Sequence, residues 1–200
     1  MRCRVAWDVI VQESAVSPLV YPTLACWALL EVSLRVREGV HGKGKRKRDR
    51  GTRALIAISL GAAIGVAAFA ASRVPSLRVP LALRGPGVLV MWLGLATRVW
   101  AIATLGREFR TTVEVDPGQA VVSTGPYKWI RHPSYTGLLL ILAGFGLALG
   151  NWLSLAACLV LPLPALVKRI QVEEAELNRV LGDAYRIYQV KTARLIPGLW

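Results

Sequence analysis

The sequence predicts an all-α integral membrane protein with about five transmembrane helices, the last two forming a short C-terminal hairpin, followed by a cytoplasmic amphipathic helix. Three observations lead there. Of 200 residues, 54% are hydrophobic and the mean hydropathy is +0.45, an apolar excess that a soluble domain of this size does not carry and that must face lipid. The apolar residues gather into five runs separated by charged or turn-rich stretches. Nine of the 25 basic residues lie between Arg35 and Arg53, where they flank apolar runs as an orientation signal; the net charge of +13 therefore does not point to nucleic acid.

The first run, Ser17 to Leu34, has Pro18 and Pro22 near its start and Glu31 near its end, and reads as a short membrane helix. Before it, Met1 to Ser14 interleaves Asp8, Gln12 and Glu13 with apolar residues, a poor cleavable signal, so the N-terminus is expected to be retained. The second run, Ala54 to Ala71, is uncharged, and its Gly61 and Gly65 suit close helix packing. Between the two, Arg37 to Arg53 marks a cytoplasmic loop by its Lys and Arg content, which puts the N-terminus outside. Binding of anionic headgroups is the other use such a loop has. The third run, Gly87 to Leu105, follows an external loop with Pro75, Pro80 and Arg84 and carries Arg98, whose burial in a membrane calls for a partner or a polar cavity unless it snorkels to the nearer surface.

Gly106 to Arg131 reads as a polar cytoplasmic connection, with Thr111 to Val115 and Ala120 to Val122 extended around the turn Asp116-Pro117-Gly118. Thr136 to Leu149 and Trp152 to Val167 then form an antiparallel hairpin across Gly150-Asn151. Fourteen helical residues reach only about 21 Å, short of the roughly 30 Å hydrocarbon core. Starting at Pro133, a residue suited to the first helical position, lengthens the helix, while Pro162 and Pro164 interrupt its return. Such irregularity at membrane depth is tolerated where it frames a protein-lined cavity. From Lys168 to Val190 an amphipathic helix leaves the membrane on the cytoplasmic side, broken near Gly182-Asp183. The expected organisation is a two-span region, 1–86, and a functional region, 87–200. Cys3, Cys26 and Cys158 are scattered and suggest neither disulfide nor metal site, and no metal is expected.

The chemistry concentrates in Gly125 to Gly137, a polar, aromatic, proline-punctuated stretch that runs directly into an apolar helix. Taken singly, His132 is an ordinary interfacial histidine, Tyr127, Trp129 and Tyr135 an aromatic belt, and Arg169 with Glu173 and Glu176 an ordinary charged helix face. Together they converge on one cytoplasmic entrance. A helix N-terminus holds anions, carboxylates hold cations, and aromatic faces favour onium groups, so a ligand carrying both signs would suit.

Gly125-Pro126-Tyr127, Arg131-His132-Pro133-Ser134-Tyr135-Thr136-Gly137, then Glu173-Glu174 with Leu177, Gly182, Tyr185, Tyr188 and Ile196-Pro197 resemble the isoprenylcysteine carboxyl methyltransferase family, over about Arg98 to Trp200. The resemblance implies a membrane-embedded methyltransferase using S-adenosylmethionine in a cytoplasm-facing pocket, with a lipophilic small molecule or prenylated chain as substrate. It assigns Gln119, Val121, Val122, Tyr127, His132, Pro133, Ser134, Tyr135 and Glu173 to the cofactor, with Glu114 a further polar contact. It assigns Arg169 to the substrate carboxylate, and Arg169 and Glu173 to catalysis. Arg110 after Phe109 and Lys128 depart from the family pattern outside its core motif. The basic, alanine- and arginine-rich composition suggests a bacterial inner membrane. Methylation of a phospholipid or small thiol at N or S, a non-enzymatic protein binding anionic lipid, and a nicotinamide-dependent membrane reductase are the competing readings.

Overall fold

The computed structural model describes residues 20–34, 36, 51–106, 120–198 and 200. The N-terminal segment to Ser14 with Cys3, the basic run Lys43 to Arg48, the Thr111 to Val115 stretch with its Asp116-Pro117-Gly118 turn, and Phe109, Arg110, Glu114 and Gln119 lie outside these described residues. The described chain forms seven α-helices and no strand: α1 (Val20–Leu34), α2 (Thr52–Arg73), α3 (Leu81–Leu105), α4 (Pro133–Ala148), α5 (Trp152–Val160), α6 (Leu163–Leu181) and α7 (Asp183–Lys191). Three segments, α2, α3 and the α5–α6 run Trp152–Leu181, are long and apolar enough to cross a membrane, while α1 and α4 are apolar but shorter.

Helix α3 begins six residues earlier than the apolar run suggests, so Arg84 and Pro86 belong to its first turns and not to a loop. Pro86 is the sixth helical residue, past the four N–H groups that lack intrahelical partners, so it leaves the Ala82 carbonyl without its helical donor. Pro162 and Pro164 break the return helix as expected: α5 ends at Val160, and α6 restarts at Leu163 with proline in its first turn. The amphipathic stretch is a continuation of that restarted helix and does not begin afresh at Lys168.

Helices α3 and α4 run antiparallel in near backbone contact. A Cβ on Gly94 would lie 2.6 Å from Gly137 O and Ile141 N, and one on Gly137 2.7 Å from Gly94 O. One heptad away, Gly87 lies against Gly144 in the same manner, with Gly144 O 2.9 Å from its Cβ position. Where lipid is as apolar as the partner helix, close approach of this kind drives association. Gly61 and Gly65 do not take part: nothing lies within 4 Å of a Cβ at either, which corrects their assignment to helix packing. They sit on α2 away from its neighbours, and α2 contacts α5 through Ala67 and Ala70, both fully buried.

The α4–α5 hairpin turns at Gly150, whose φ of 72° lies in the left-handed region and whose missing Cβ leaves room for the Arg84 guanidinium. Asn151 then caps α5, its Oδ1 accepting from Leu153 N at 2.8 Å and Ser154 N at 3.3 Å, a favoured residue in that role. The same side chain donates through Nδ2 to Val74 O at 2.7 Å and Ala70 O at 3.3 Å. Ser154 Oγ donates to Ala67 O at 2.6 Å. These bonds tie the far end of α2 to the hairpin.

Candidate active site

The proline-started α4 carries the site. Pro133 occupies its first turn and His132 its N-cap, with no side chain capping the helix. Ser134, on the first turn, faces α3: the antiparallel glycine contacts bring α3 so close that Arg98 Nη1 donates to Ser134 Oγ at 2.7 Å and to Ser134 O at 3.0 Å. Arg98 Nε donates to Glu31 Oε1 at 2.8 Å, and Trp27 Nε1 supports that carboxylate at 3.2 Å. Arg98 is thus paired between α1 and α4 and does not snorkel, as the cost of an unpaired intramembrane charge requires.

On the other side of α4, Glu173 of α6 collects donors. Tyr135 Oη donates to Glu173 Oε1 at 2.5 Å, Arg169 Nε to the same oxygen at 2.7 Å, and His132 Nδ1 lies 3.5 Å from Oε2. The Arg169 and Glu173 contact follows from their four-residue spacing on one helix face. Arg169, with 2% exposure, also donates through Nη1 to Thr52 Oγ1 at 3.0 Å. The rings of His132 and Tyr135 are stacked, centroids 5.8 Å apart. Glu176 pairs with Arg179 at 2.6 Å.

Glu174 gathers a second cluster of charge. It is buried, accepts from Arg131 Nε at 2.9 Å and Arg194 Nε at 3.0 Å, and faces His132 Nε2 at 3.4 Å. Arg131 also donates to Gln189 O at 2.8 Å and to Thr192 O, which closes the C-terminal end of α7. The tail then runs beside the motif: Arg131 N donates to Ala193 O at 2.8 Å, His132 N to Arg194 O at 3.0 Å, and Ala193 N to Trp129 O at 3.0 Å. Tyr188 Oη donates to Tyr127 O at 2.7 Å.

His132 therefore has a carboxylate at each ring nitrogen. Burial by itself lowers its pKa, but the hydrogen bonds and charges of Glu173 and Glu174 outweigh that, and the net shift is upward. An imidazolium donates at both nitrogens, which two carboxylates demand. Burial also pushes Tyr188 up to about 12, so its hydroxyl stays a donor.

Of the residues assigned from sequence, Tyr127, His132, Pro133, Ser134 and Tyr135 are gathered at the start of α4, and Arg169 and Glu173 meet them from α6. Val121 and Val122 are half-buried in irregular chain, and no hydrogen bond among the described residues ties them to this cluster. Four participants were not read from sequence. Glu174 stood in the Glu-Glu pair without a role, and Arg194 stood next to Ile196-Pro197. Glu31 had a signal in its being an acid inside an apolar run, which calls for a base such as Arg98. Thr52 had none.

Residues 87–179 match the isoprenylcysteine carboxyl methyltransferase (ICMT) family. Over 113 residues the chain is 32% identical to protein-S-isoprenylcysteine O-methyltransferase A of Arabidopsis thaliana, covering 56% of this chain and 57% of that protein. It is 35% identical to protein-S-isoprenylcysteine O-methyltransferase of Saccharomyces cerevisiae, covering 56% of this chain and 47% of that one. The chain thus spans about half the length of the curated relatives it matches. The solved structure of the eukaryotic intramembrane Ras methyltransferase ICMT superposes with a TM-score of 0.65 at 24% identity, over 90% of this chain and 67% of that one, which is a likeness of fold. The chain is thus an integral membrane protein by its apolar helices, with the fold of that solved structure and a segment, residues 87–179, that matches the isoprenylcysteine carboxyl methyltransferase family.

Proposed function

We propose that this protein is a membrane-embedded, S-adenosylmethionine-dependent methyltransferase that esterifies the carboxylate of a lipophilic, isoprenylcysteine-like substrate. The observation that carries this reading is the meeting of His132 and Tyr135, at the start of α4, with Arg169 and Glu173 from α6 in one buried to half-buried constellation within the family-matched segment.

The donor set suits S-adenosylmethionine. Glu173 supplies the half-buried carboxylate a cationic ligand requires, and the rings of Tyr127 and Tyr135 supply aromatic faces for onium and base. Once bound, the cofactor supplies a methyl group on sulfonium sulfur, so transfer to an ionised acid breaks a C–S bond, forms a C–O bond and moves no proton.

The chain's own residues then have position to supply. Arg169 presents a planar guanidinium to the acceptor carboxylate, and Glu173 shares its charge at 2.7 Å, which tempers a grip that would otherwise weaken the nucleophile. Tyr135 and His132 hold Glu173 in place, and burial keeps water out. Such orientation accounts for most of the acceleration available to a reaction in which opposite charges disappear. The cytoplasmic side is supported by α2: its first residue, Thr52, touches Arg169 and lies at the end of the basic stretch Arg37 to Arg53. The site therefore shares the end of the molecule that the positive-inside rule places in the cytoplasm.

Calorimetry on the detergent-purified protein tests the assignment. The wild type is expected to bind S-adenosylmethionine, and His132→Ala and Glu173→Gln to lose that binding; full affinity in both variants would sink it. Arg169→Ala discriminates among acceptors, because an amine or thiol acceptor has no use for a carboxylate clamp and would be methylated by the variant at the wild-type rate.

A further inference from the structure

Helix α2 lies outside the family-matched segment, yet its first residue reaches the site. Thr52 is 1% exposed, and its Oγ1 accepts from Arg169 Nη1 at 3.0 Å. The register of α2 makes this meeting necessary. At the far end, Ser154 Oγ holds Ala67 O and Asn151 Nδ2 holds Ala70 O and Val74 O, so α2 runs antiparallel to α5 and α6. Thr52 stands fifteen residues before Ala67, and Arg169 fifteen residues after Ser154. The α5–α6 run keeps right-handed helical backbone through Leu161 and Pro162, so at about 1.5 Å per residue it and α2, pinned at one end, arrive together about 22 Å away.

Glu173 holds the Nε of Arg169 from the same helix, and Tyr135 Oη lies 3.3 Å from the same nitrogen, so both contacts bear on one corner of the planar group. The Thr52 contact, on Nη1 and from another helix, bears on a different corner and so on the orientation of the plane. A neutral hydroxyl does this without discharging the guanidinium, as a second carboxylate would. We infer that Thr52 is a specificity-determining positioning residue: it sets the plane of the Arg169 guanidinium and so the affinity for a carboxylate acceptor, while the cofactor is held by other groups. This rests on the methyltransferase reading above for what the arginine receives, though not for the contact itself.

Thr52→Val keeps the shape and removes the acceptor oxygen; Thr52→Ser keeps the oxygen. With S-adenosylmethionine and S-farnesylated N-acetylcysteine as probes, Thr52→Val is expected to raise the acceptor KM about tenfold, the scale of one hydrogen bond to a charged group. The turnover number and cofactor affinity should stay within about twofold, and Thr52→Ser should restore the KM. Independently of turnover, thermal midpoints of Thr52→Val, Arg169→Met and the double variant form a cycle. The double variant is expected to lose no more than Arg169→Met alone. An unchanged acceptor KM in Thr52→Val, or midpoint losses that simply add, would overturn the inference. A wild type that neither binds the cofactor nor methylates the probe counts against the methyltransferase reading, and the cycle then decides the Thr52 link by itself.

Discussion

Replacing Gly94 with alanine puts a methyl group where α3 and α4 have no room for one. The new Cβ would sit 2.6 Å from Gly137 O and Ile141 N, about 0.8 Å short of the 3.4 Å at which ordinary contact begins. Both neighbours are backbone, so no side chain can swing away and the helices must separate. Overpacking of this kind costs about 1–3 kcal/mol. The same separation carries Arg98 away from α4: its 2.7 Å bond to Ser134 Oγ stretches to about 3.5 Å, the limit of a hydrogen bond. Losing that bond adds about 1 kcal/mol or more. A total of about 2–4 kcal/mol corresponds to a fall in thermal midpoint on the order of 5–10 °C for a chain this long. The assay is a melting curve of the detergent-solubilised protein followed by tryptophan fluorescence, with cofactor affinity measured on the same sample, since α4 also presents His132 and Tyr135. A Gly94→Ala variant that melts within about 2 °C of the wild type and binds the cofactor equally well would refute the close-packed α3–α4 register.

Gly65→Ala is the counterpart: with nothing within 4 Å of its Cβ, it should melt at or slightly above the wild-type temperature, by up to about 1 kcal/mol of helix propensity. Glu174→Gln removes the charge shared by Arg131, Arg194 and His132. Breaking a buried pair costs about 3–5 kcal/mol, and the lower figure applies here because Arg194 is partly exposed. Faster tryptic cleavage after Lys191 and Arg194 is the expected sign of the released tail, and an unaltered digestion rate would count against it. For pH, the raised pKa of His132 means the folded state holds its proton more tightly than the unfolded chain. That stability is fully present below the ordinary value of 6.5 and is lost as pH rises through the higher folded value. Melting at pH 6 and pH 9 should therefore separate more in the wild type than in His132→Asn; equal separations would show that His132 does not carry the effect.

The helical runs, the turn at Gly150-Asn151, the start of α4 at Pro133 and the break before Leu163 were legible in the sequence because each depends on local chemistry: hydropathy, a glycine with positive φ, a proline without an N–H. The same holds for Arg169 and Glu173, four residues apart on one helix face, and for the motif that places His132 and Tyr135 at a helix entrance. Which glycines pack was not legible. Gly61 and Gly65 read as packing residues as readily as Gly94 and Gly137, because every face of a lipid-embedded helix is apolar and hydropathy no longer marks the buried one. The partners of the charged groups lie far along the chain: Glu31 to Arg98, Arg131 to Glu174 and Thr52 to Arg169 span 67, 43 and 117 residues. Local sequence therefore determined the elements and the chemistry each carries. The tertiary structure alone decided who meets whom, because that depends on the register between helices, set here by backbone contact at glycine and by a few buried hydrogen bonds.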